Sequence, residues 1–452
     1  MDIHRILKQQ FNLDQNSKIV IVGLGITGLS VAKFLDHYEF QLTVIDSRHQ
    51  PPYQTELRST LKNVPLITGH FAVKPFNTAT HLIISPGLSL QIPIIQATLA
   101  RGVQLISDVD LFAVLAQAPI IAITGANGKS TVTTMVGEMA KAAGKKTAVG
   151  GNLGIPVLDL LADDQELYVL ELSSFQLERS HLLNATAATV LNISADHLDR
   201  HTDIADYAAQ KQKIFRGDGV VVLNADDQWV SDMQPSQRAV RWFSLHQNLD
   251  FHVADRFGEP WLVNQTEDFM PCRELPLEGK HNWANALAAL ALGESVGLDK
   301  QVMCQALRAF VGLDHRMQKV ATKRGIHWIN DSKATNIGAC AAALEGYDHP
   351  VILLAGGQAK GADMTELRPV LAKQTKAVIL MGVDALSMAR AFKDCVSLYF
   401  AASMTEAVKI ATEIAQAGDT VLLSPACASL DQYQNYQHRG EAFASAVHAL
   451  DD

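Results

Sequence analysis

Ile120-Ile121-Ala122-Ile123-Thr124-Gly125-Ala126-Asn127-Gly128-Lys129-Ser130-Thr131 is the stretch from which the fold can be read. Its first five residues are apolar or β-branched and read as a buried strand. Two glycines then permit a tight loop, and Ser130 to Ala143 reads as a long helix. A strand, a glycine loop and a helix start aim free backbone N–H groups and the positive end of a helix dipole at one point, an arrangement suited to phosphate. Lys129 adds a cation for the β- and γ-phosphates, and Ser130 or Thr131 a hydroxyl for Mg²⁺. The spacing departs from the usual phosphate loop, because Gly125 lies three residues before Gly128 instead of five. A chance turn carrying a surface lysine is the plainer alternative, and the strand-loop-helix context weighs against it.

Outward from this loop, the same alternation fills the chain. Lys18 to Val22, Gln41 to Ile45, Val169 to Leu172, Ala188 to Ile193, Val220 to Leu223, Val351 to Ala355, Ala377 to Met381 and Thr420 to Ser424 read as strands, and Thr27 to Leu35 as a helix. Short buried strands alternating with helices predict an α/β chain with parallel sheets covered by helices. Three strand-then-glycine openings, at Gly23-Leu24-Gly25, Gly125 to Gly128 and Ala355-Gly356-Gly357, predict three domains: residues 1–107, 108–313 and 314–452. A length of 452 residues agrees with more than one core.

Composition narrows the class. Hydrophobic residues make up 48% and charged residues 19%, the balance of a globular chain. The net charge of −9 argues against a nucleic-acid partner. The five cysteines are scattered with no C-x-x-C pair, so reduced thiols in a cytoplasmic protein are expected. The N-terminal residues lack a signal-peptide pattern, and no apolar run is long enough to span a membrane.

Gly23-Leu24-Gly25-Ile26-Thr27-Gly28 follows a strand and opens a helix, and Asp46 ends the next strand near the spacing of a ribose-binding acid. This reads as a phosphate ligand site, for NAD or for another nucleotide. Ser85-Pro86-Gly87 ends a further apolar run and is either an added set of backbone donors or an ordinary turn. Glu171 closes the run Tyr168-Val169-Leu170, and Asp196 and His197 follow Val190 to Ile193. Beside a phosphate loop, such strand ends make a metal site plausible. Nothing local distinguishes Lys211, which reads as a solvated helical lysine.

Together these motifs resemble the Mur ligases and their folylpolyglutamate synthase relatives. The resemblance runs through Thr124 to Thr131, Glu171 to Leu177, Asn192 to Arg200, Gly279 to Ala286, Leu313 to Met317, Asn330 to Asn336 and Leu423 to Tyr433. The Asp331 to Asn336 and Leu423 to Tyr433 blocks are similar to the D-glutamate-adding branch. The resemblance implies a Rossmann-like N-terminal domain, a P-loop ATPase-like central domain and a Rossmann-like C-terminal domain. It implies that ATP is held by Gly125, Ala126, Asn127, Gly128, Lys129, Ser130, Thr131, Asn285, Arg316 and Asp331. Two Mg²⁺ ions would be ligated by Ser130 and Glu171, and by His197 and Lys211. In the family the position matching Lys211 is a carbamoylated lysine, an anionic oxygen donor where an ammonium could not bind metal.

The muramoyl substrate would be met by Asn152 and His197, and its uridine diphosphate by Ile26, Thr27, Ser47, Arg48, Ser85 and Gly87. D-Glutamate would be met by Lys333, Thr335, Lys360, Ser429 and Tyr436, with Lys129, His197, Lys211 and Lys333 the catalytic set. Ala126 stands where threonine is commonest, and Tyr436 where phenylalanine is found. The implied activity is ATP-dependent ligation of D-glutamate to UDP-N-acetylmuramoyl-L-alanine through an acyl phosphate. That is a cytoplasmic step of peptidoglycan synthesis, tied to cell-wall growth, shape and division, and a monomer is expected.

Overall fold

The computed structural model describes residues 2–197, 200–277, 279–347 and 349–451. Leu198 and Asp199, within the Asn192 to Arg200 block, lie outside the described residues. Three sheets succeed one another along the chain. The first is wholly parallel, in the order Leu66–Thr68, Leu42–Asp46, Ile19–Val22, His81–Ile84, Gln104–Ile106. Its order reverses direction between Ile19–Val22 and His81–Ile84, so a crevice opens at their carboxyl ends, where ligands of such sheets sit.

The second sheet has nine strands. In its middle, Ile120–Thr124 lies between Ala187–Val190 and Leu167–Glu171, all parallel. In the third sheet Thr420–Leu423 lies between Ile326–Asn330 and Val351–Gly356, again parallel. The central strands are buried on both faces, which is why they read as unbroken apolar runs rather than as alternating ones. The phosphate-loop helix, Lys129–Ala142, packs against the helix Lys280–Ser295, in which Ala286 to Leu292 are all buried.

Two features depart from the expected parallel pattern. Phe251–Arg256 and Glu259–Asn264 form an antiparallel hairpin that Asp268–Pro271 extends, and Gln318–Lys323 pairs antiparallel with Ile326–Asn330. Both hairpins close through two residues of positive φ, Phe257-Gly258 and Arg324-Gly325. A two-residue turn of this kind matches the strand twist, and here Phe and Arg occupy a position where Asn or Asp is the usual signal. The expected strand Ala188 to Ile193 stops at Val190. Beyond it Asn192 is turned toward the phosphate loop, accepting the N–H of Ala126 at its carbonyl (2.9 Å) and that of Asn127 at its side chain (2.8 Å).

Arginines, two of them buried, fasten the units. Arg179, on the helix Ser174–Arg179, donates to the carbonyls of Ile84 (2.7 Å), Ser85 (2.6 Å) and Leu88. Arg200 reaches the carbonyls of Gly87 (2.9 Å) and Leu88 (3.0 Å). The turn after His81–Ile84 is thereby held to the central sheet. In the third unit Arg439 donates to the Ser332 hydroxyl (3.0 Å) and carbonyl (2.8 Å) and to the Cys427 carbonyl (3.0 Å). It is 1% exposed and joins two strand-end loops. Arg439→Met would fill much of the volume and leave these acceptors without their donor. We expect a loss of roughly 3 kcal/mol or more, read as a lowered denaturation midpoint of the third unit, with Lys333 losing its fixed position.

Candidate active site

Each sheet delivers its polar residues to the carboxyl ends of neighbouring strands. In the first, Gly23 and Gly25 follow Ile19–Val22, Ser47 and Arg48 follow Leu42–Asp46, and Ser85 to Gly87 follow His81–Ile84. Ile26 and Thr27 open the helix Ile26–His37. All six expected uridine-diphosphate contacts therefore lie at one sheet edge. Gly28 is needed for packing, because a Cβ there would lie 2.0 Å from the Gly23 carbonyl. Asp46 is not free to receive a ribose. It accepts from the Leu24 N–H (2.7 Å), the Arg48 N–H (2.8 Å) and the Arg48 guanidinium (2.7 and 2.9 Å). Those donors hold its carboxyl below the ordinary range despite burial. Asp46 shapes the glycine loop instead of binding through it.

In the central unit Gly125 and Gly128 adopt positive φ, and Gly128 stands at the N-cap of Lys129–Ala142. A Cβ on Gly128 would lie 2.4 Å from the Asn285 side-chain oxygen, so the glycine permits Asn285 to approach the loop. Ala126 is buried, and its N–H is spent on Asn192. Lys129 folds back onto the carbonyls of Gly125 (2.9 Å) and Ala126 (2.7 Å). Burial lowers its pKa, with Glu171 and Asp196 opposing.

The Ser130 hydroxyl donates to one oxygen of Glu171 (2.6 Å), and the Asn152 amide donates to the other (2.7 Å). Arg316, from the start of the third unit, donates to Ser130 (2.8 Å). Glu171 is buried, which raises its pKa, but Lys129 with the Ser130 and Asn152 hydrogen bonds brings it below the ordinary value. Lys211, read from sequence as solvated, is 1% exposed. Its Nζ donates to the Gly125 carbonyl (2.9 Å) and the Thr124 hydroxyl (3.3 Å) and lies 4.5 Å from the centre of the Tyr207 ring. Desolvation, reinforced by Lys129, pushes its pKa well below that of a free lysine.

Lys129, Asn152, Glu171, Lys211 and Arg316 line a cavity of about 220 Å³ together with His197, Asp196, Phe175, Lys333, Thr335 and Asn336. His197 takes a positive φ, faces Asp196 at 3.7 Å, and meets the Phe175 ring edge-on. Lys333 rests over Tyr436, its Nζ 3.9 Å from the ring centre, and burial lowers its pKa to about 8. The tyrosine thus keeps the aromatic face that phenylalanine would provide.

A second cavity, of about 370 Å³, shares Asn127, Gly128, Arg316 and Lys333 with the first and is lined by Thr131, Asn282, Asn285 and Asp331 as well. Its walls from Leu191, Phe243, Leu245, Leu277 and Ala339 are apolar, as a flat aromatic base would need. Gly125 and Ser130 line neither cavity but are hydrogen-bonded to Lys129, Lys211 and Glu171, which do; the other expected phosphate, metal and adenine residues line one continuous cleft. Lys360, Ser429 and Tyr436 line neither cavity: Ser429 follows Thr420–Leu423 and Lys360 follows Val351–Gly356, the next strand over. Burial lowers the His197 pKa, and the charge of Lys360 adds to that lowering. Among the described residues no group of three His, Cys, Asp or Glu side chains is gathered. Sequence reasoning missed Asn192, Asn336 and the arginines 179, 200 and 439. Asn192 had a signal, since it is a polar residue set within the apolar run Val190 to Ile193.

Asp331 supplies a pH test. Burial raises its carboxyl from 3.8 to about 7, with the Ser424 hydroxyl (2.9 Å) opposing. The folded state holds this proton more tightly than the unfolded chain does. Its stabilising contribution is present below the unfolded pKa and is lost as pH rises through the folded one. Asp331→Asn should flatten the decline in stability between pH 4 and 7 relative to the parent, measured by denaturant titration at each pH.

Comparison with known proteins bears on all three units. Residues 17–107 match the family described as Mur ligase MurD-like, N-terminal domain; residues 123–293 match the Mur ligase middle domain; residues 315–427 match the Mur ligase glutamate ligase domain. The UDP-N-acetylmuramoylalanine–D-glutamate ligase of Methylococcus capsulatus is 51% identical over 98% of this chain and 96% of its own. The enzyme of that name from Pseudomonas putida is 47% identical over the whole of both chains. Among solved structures, the UDP-N-acetylmuramate-alanine ligase MurC of Thermotoga maritima aligns with a TM-score of 0.61 at 19% identity, covering 96% of this chain and 99% of that one. The E. coli FolC complex with ADP aligns with a TM-score of 0.57 at 16% identity, covering 75% and 92%. The sequence relationship extends through every unit that forms the cleft, and the chain belongs to the Mur ligase family, among the UDP-N-acetylmuramoylalanine–D-glutamate ligases.

Proposed function

We propose that this chain joins D-glutamate to UDP-N-acetylmuramoyl-L-alanine at the expense of ATP, as a monomer in the cytoplasm, in peptidoglycan precursor synthesis. Residues 1–107 hold the uridine nucleotide, 108–313 the ATP and 314–452 the amino acid. The observation that carries the reading is the convergence of Lys129, Glu171, Asn152, His197, Lys211 and Lys333 on one cavity continuous with an apolar nucleotide pocket.

A carboxylate is a poor acyl donor until one of its oxygens is made a leaving group. The γ-phosphoryl group of ATP is transferred to the alanyl carboxylate, giving an acyl phosphate. The amine of D-glutamate, freed of the proton of its ammonium form, then attacks the carbonyl carbon; the C–O bond breaks with its electron pair passing to the departing phosphate, and the nitrogen releases a second proton. Lys129 and the loop N–H groups hold the phosphates in line. Asn152, at the cavity wall, orients the alanyl end. Lys333 and His197 lie where negative charge develops on the tetrahedral centre.

The Ser130 hydroxyl and Glu171 carboxylate, 2.6 Å apart, fit a divalent cation beside the phosphates. Lys211 as an ammonium does not fit one. Its burial favours the neutral amine, which can add CO₂ to form a carbamate and release a proton, and the carbamate with His197 then fits a second Mg²⁺. When bound, Mg²⁺ offsets the charge of the transferring phosphoryl group. Lys360, Ser429, Thr335 and Tyr436 are assigned to the D-glutamate side, and Ile26, Thr27, Ser47, Arg48, Ser85 and Gly87 to the uridine diphosphate.

Phosphate release from ATP should require both UDP-N-acetylmuramoyl-L-alanine and D-glutamate. Release that is indifferent to the amino acid, or supported better by another, overturns the substrate assignment. Lys129→Ala should reduce turnover by at least about a hundredfold while the chain stays folded by circular dichroism. Lys211→Ala should be inactive and partly restored by short carboxylic acids; a fully active variant rejects the carbamate.

A further inference from the structure

Asn336 ends the Asn330 to Asn336 block and has no role in the reaction as described so far. It is buried, and its side chain makes contacts in three directions. Its oxygen accepts the Ala339 N–H (2.8 Å) and so caps the helix Ile337–Glu345. Its amide donates to the Asn127 side-chain oxygen of the phosphate loop (3.3 Å) and to the Asp196 carboxylate (3.1 Å). Asp196 is the residue that faces His197.

The helix behind Asn336 is pressed against the same loop. A Cβ on Gly338 would lie 2.8 Å from the Ser194 hydroxyl and 3.4 Å from the Asn127 amide, so glycine is what lets the third unit approach this closely. Asn127 in turn is fixed by Asn192, which accepts its N–H (2.8 Å) and donates to its carbonyl (3.2 Å). One amide of the amino-acid-binding unit thus touches both the ATP loop and the carboxylate beside His197.

We infer that Asn336 is a positioning residue: its amide latches the third unit onto the ATP loop and orients Asp196, so that His197 is set in place only when that unit has closed. The inference rests on the reading of the cleft as a ligase centre. Only an amide serves here. The oxygen is needed for the helix cap, which Asp or Ser would also satisfy, and the N–H₂ donors are needed for Asn127 and Asp196. An aspartate would keep the cap and set a second carboxylate against Asp196.

The test compares Asn336→Asp with Asn336→Ala. Both are assayed for D-glutamate-dependent phosphate release, thermal midpoint, and compaction by small-angle scattering with a non-hydrolysable ATP analogue. Asn336→Asp should keep the parent midpoint yet lose at least about tenfold in kcat, by displacement of the reacting groups. Its KM for D-glutamate should rise, while affinity for the uridine substrate, measured by calorimetry, stays as in the parent. Compaction should fail. Asn336→Ala should lose both midpoint and kcat. Parent-like kcat and compaction in Asn336→Asp overturns the latch and leaves Asn336 a helix cap. If the parent itself shows no D-glutamate-dependent release, the ligase reading fails, and compaction alone still decides the latch.

Discussion

Two lysine side chains, Lys129 and Lys211, donate to one carbonyl oxygen, that of Gly125, at 2.9 Å each. The acids that face them across the cavity are Glu171 and Asp196. Two ammonium groups this close, one fully buried, repel each other and lose hydration, and the shared carbonyl, with the Ala126 carbonyl for Lys129 and the Thr124 hydroxyl for Lys211, does not fully compensate. In the proposed reading the arrangement is resolved by neutralising Lys211, whose pKa burial already lowers, and by bringing polyanionic phosphate to Lys129. The loop glycines, the capped strand ends and the approach of Arg316 all serve to hold this charge-rich point in place. A fold optimised for stability alone would not contain it.

The sheets explain how such a point is built. In each sheet, parallel strands side by side release their chains at one edge, so residues far apart in sequence arrive within reach. Lys129, Glu171 and Asn192 come from three adjacent strands in this way. Lys211 arrives differently, on the helix Ile204–Gln212, whose start is fixed by the Asp203 side chain accepting from Asp206. The first sheet repeats the device with Gly23 and Ser85, and the Arg179 and Arg200 clamp holds its loops near the ATP edge. The third unit enters through Arg316 and Asn336, which reach the central loop at Ser130 and at Asn127.

Much of this was legible in the sequence because it is local. A strand-glycine-helix sequence specifies its own geometry, and apart from Ala187–Val190, which stops three residues early, the apolar strands form within a residue or two of where their patterns place them. What was not legible depends on three-dimensional proximity. Lys211 carries no local mark; only burial beneath Thr124 and Gly125 makes it chemical. Asp46 looked like a ribose acid by spacing, but Arg48, two residues on, occupies it. The hairpins at Phe257-Gly258 and Arg324-Gly325 were hidden because a bulky residue sits where the turn signal normally lies. The arginines 179, 200 and 439 act through backbone carbonyls, and an acceptor present in every residue leaves no trace in the sequence.

The overall charge of −9 and the chemistry of the cleft point in opposite directions, and the difference is one of scale. Long polyanions are recognised by extended basic surfaces, and an acidic chain repels them. A nucleotide or an amino acid is met instead by a few desolvated groups. Here Lys129, Lys333 and Arg316 crowd one cleft with Glu171 and Asp196, and burial with Arg316 nearby already depresses Lys333 to about 8. Cations held so weakly by fixed partners gain most from anions that arrive with the substrates. In a water-poor cavity those interactions strengthen as charge gathers on the reacting centre, whereas a salt bridge already satisfied by the protein would have nothing further to contribute.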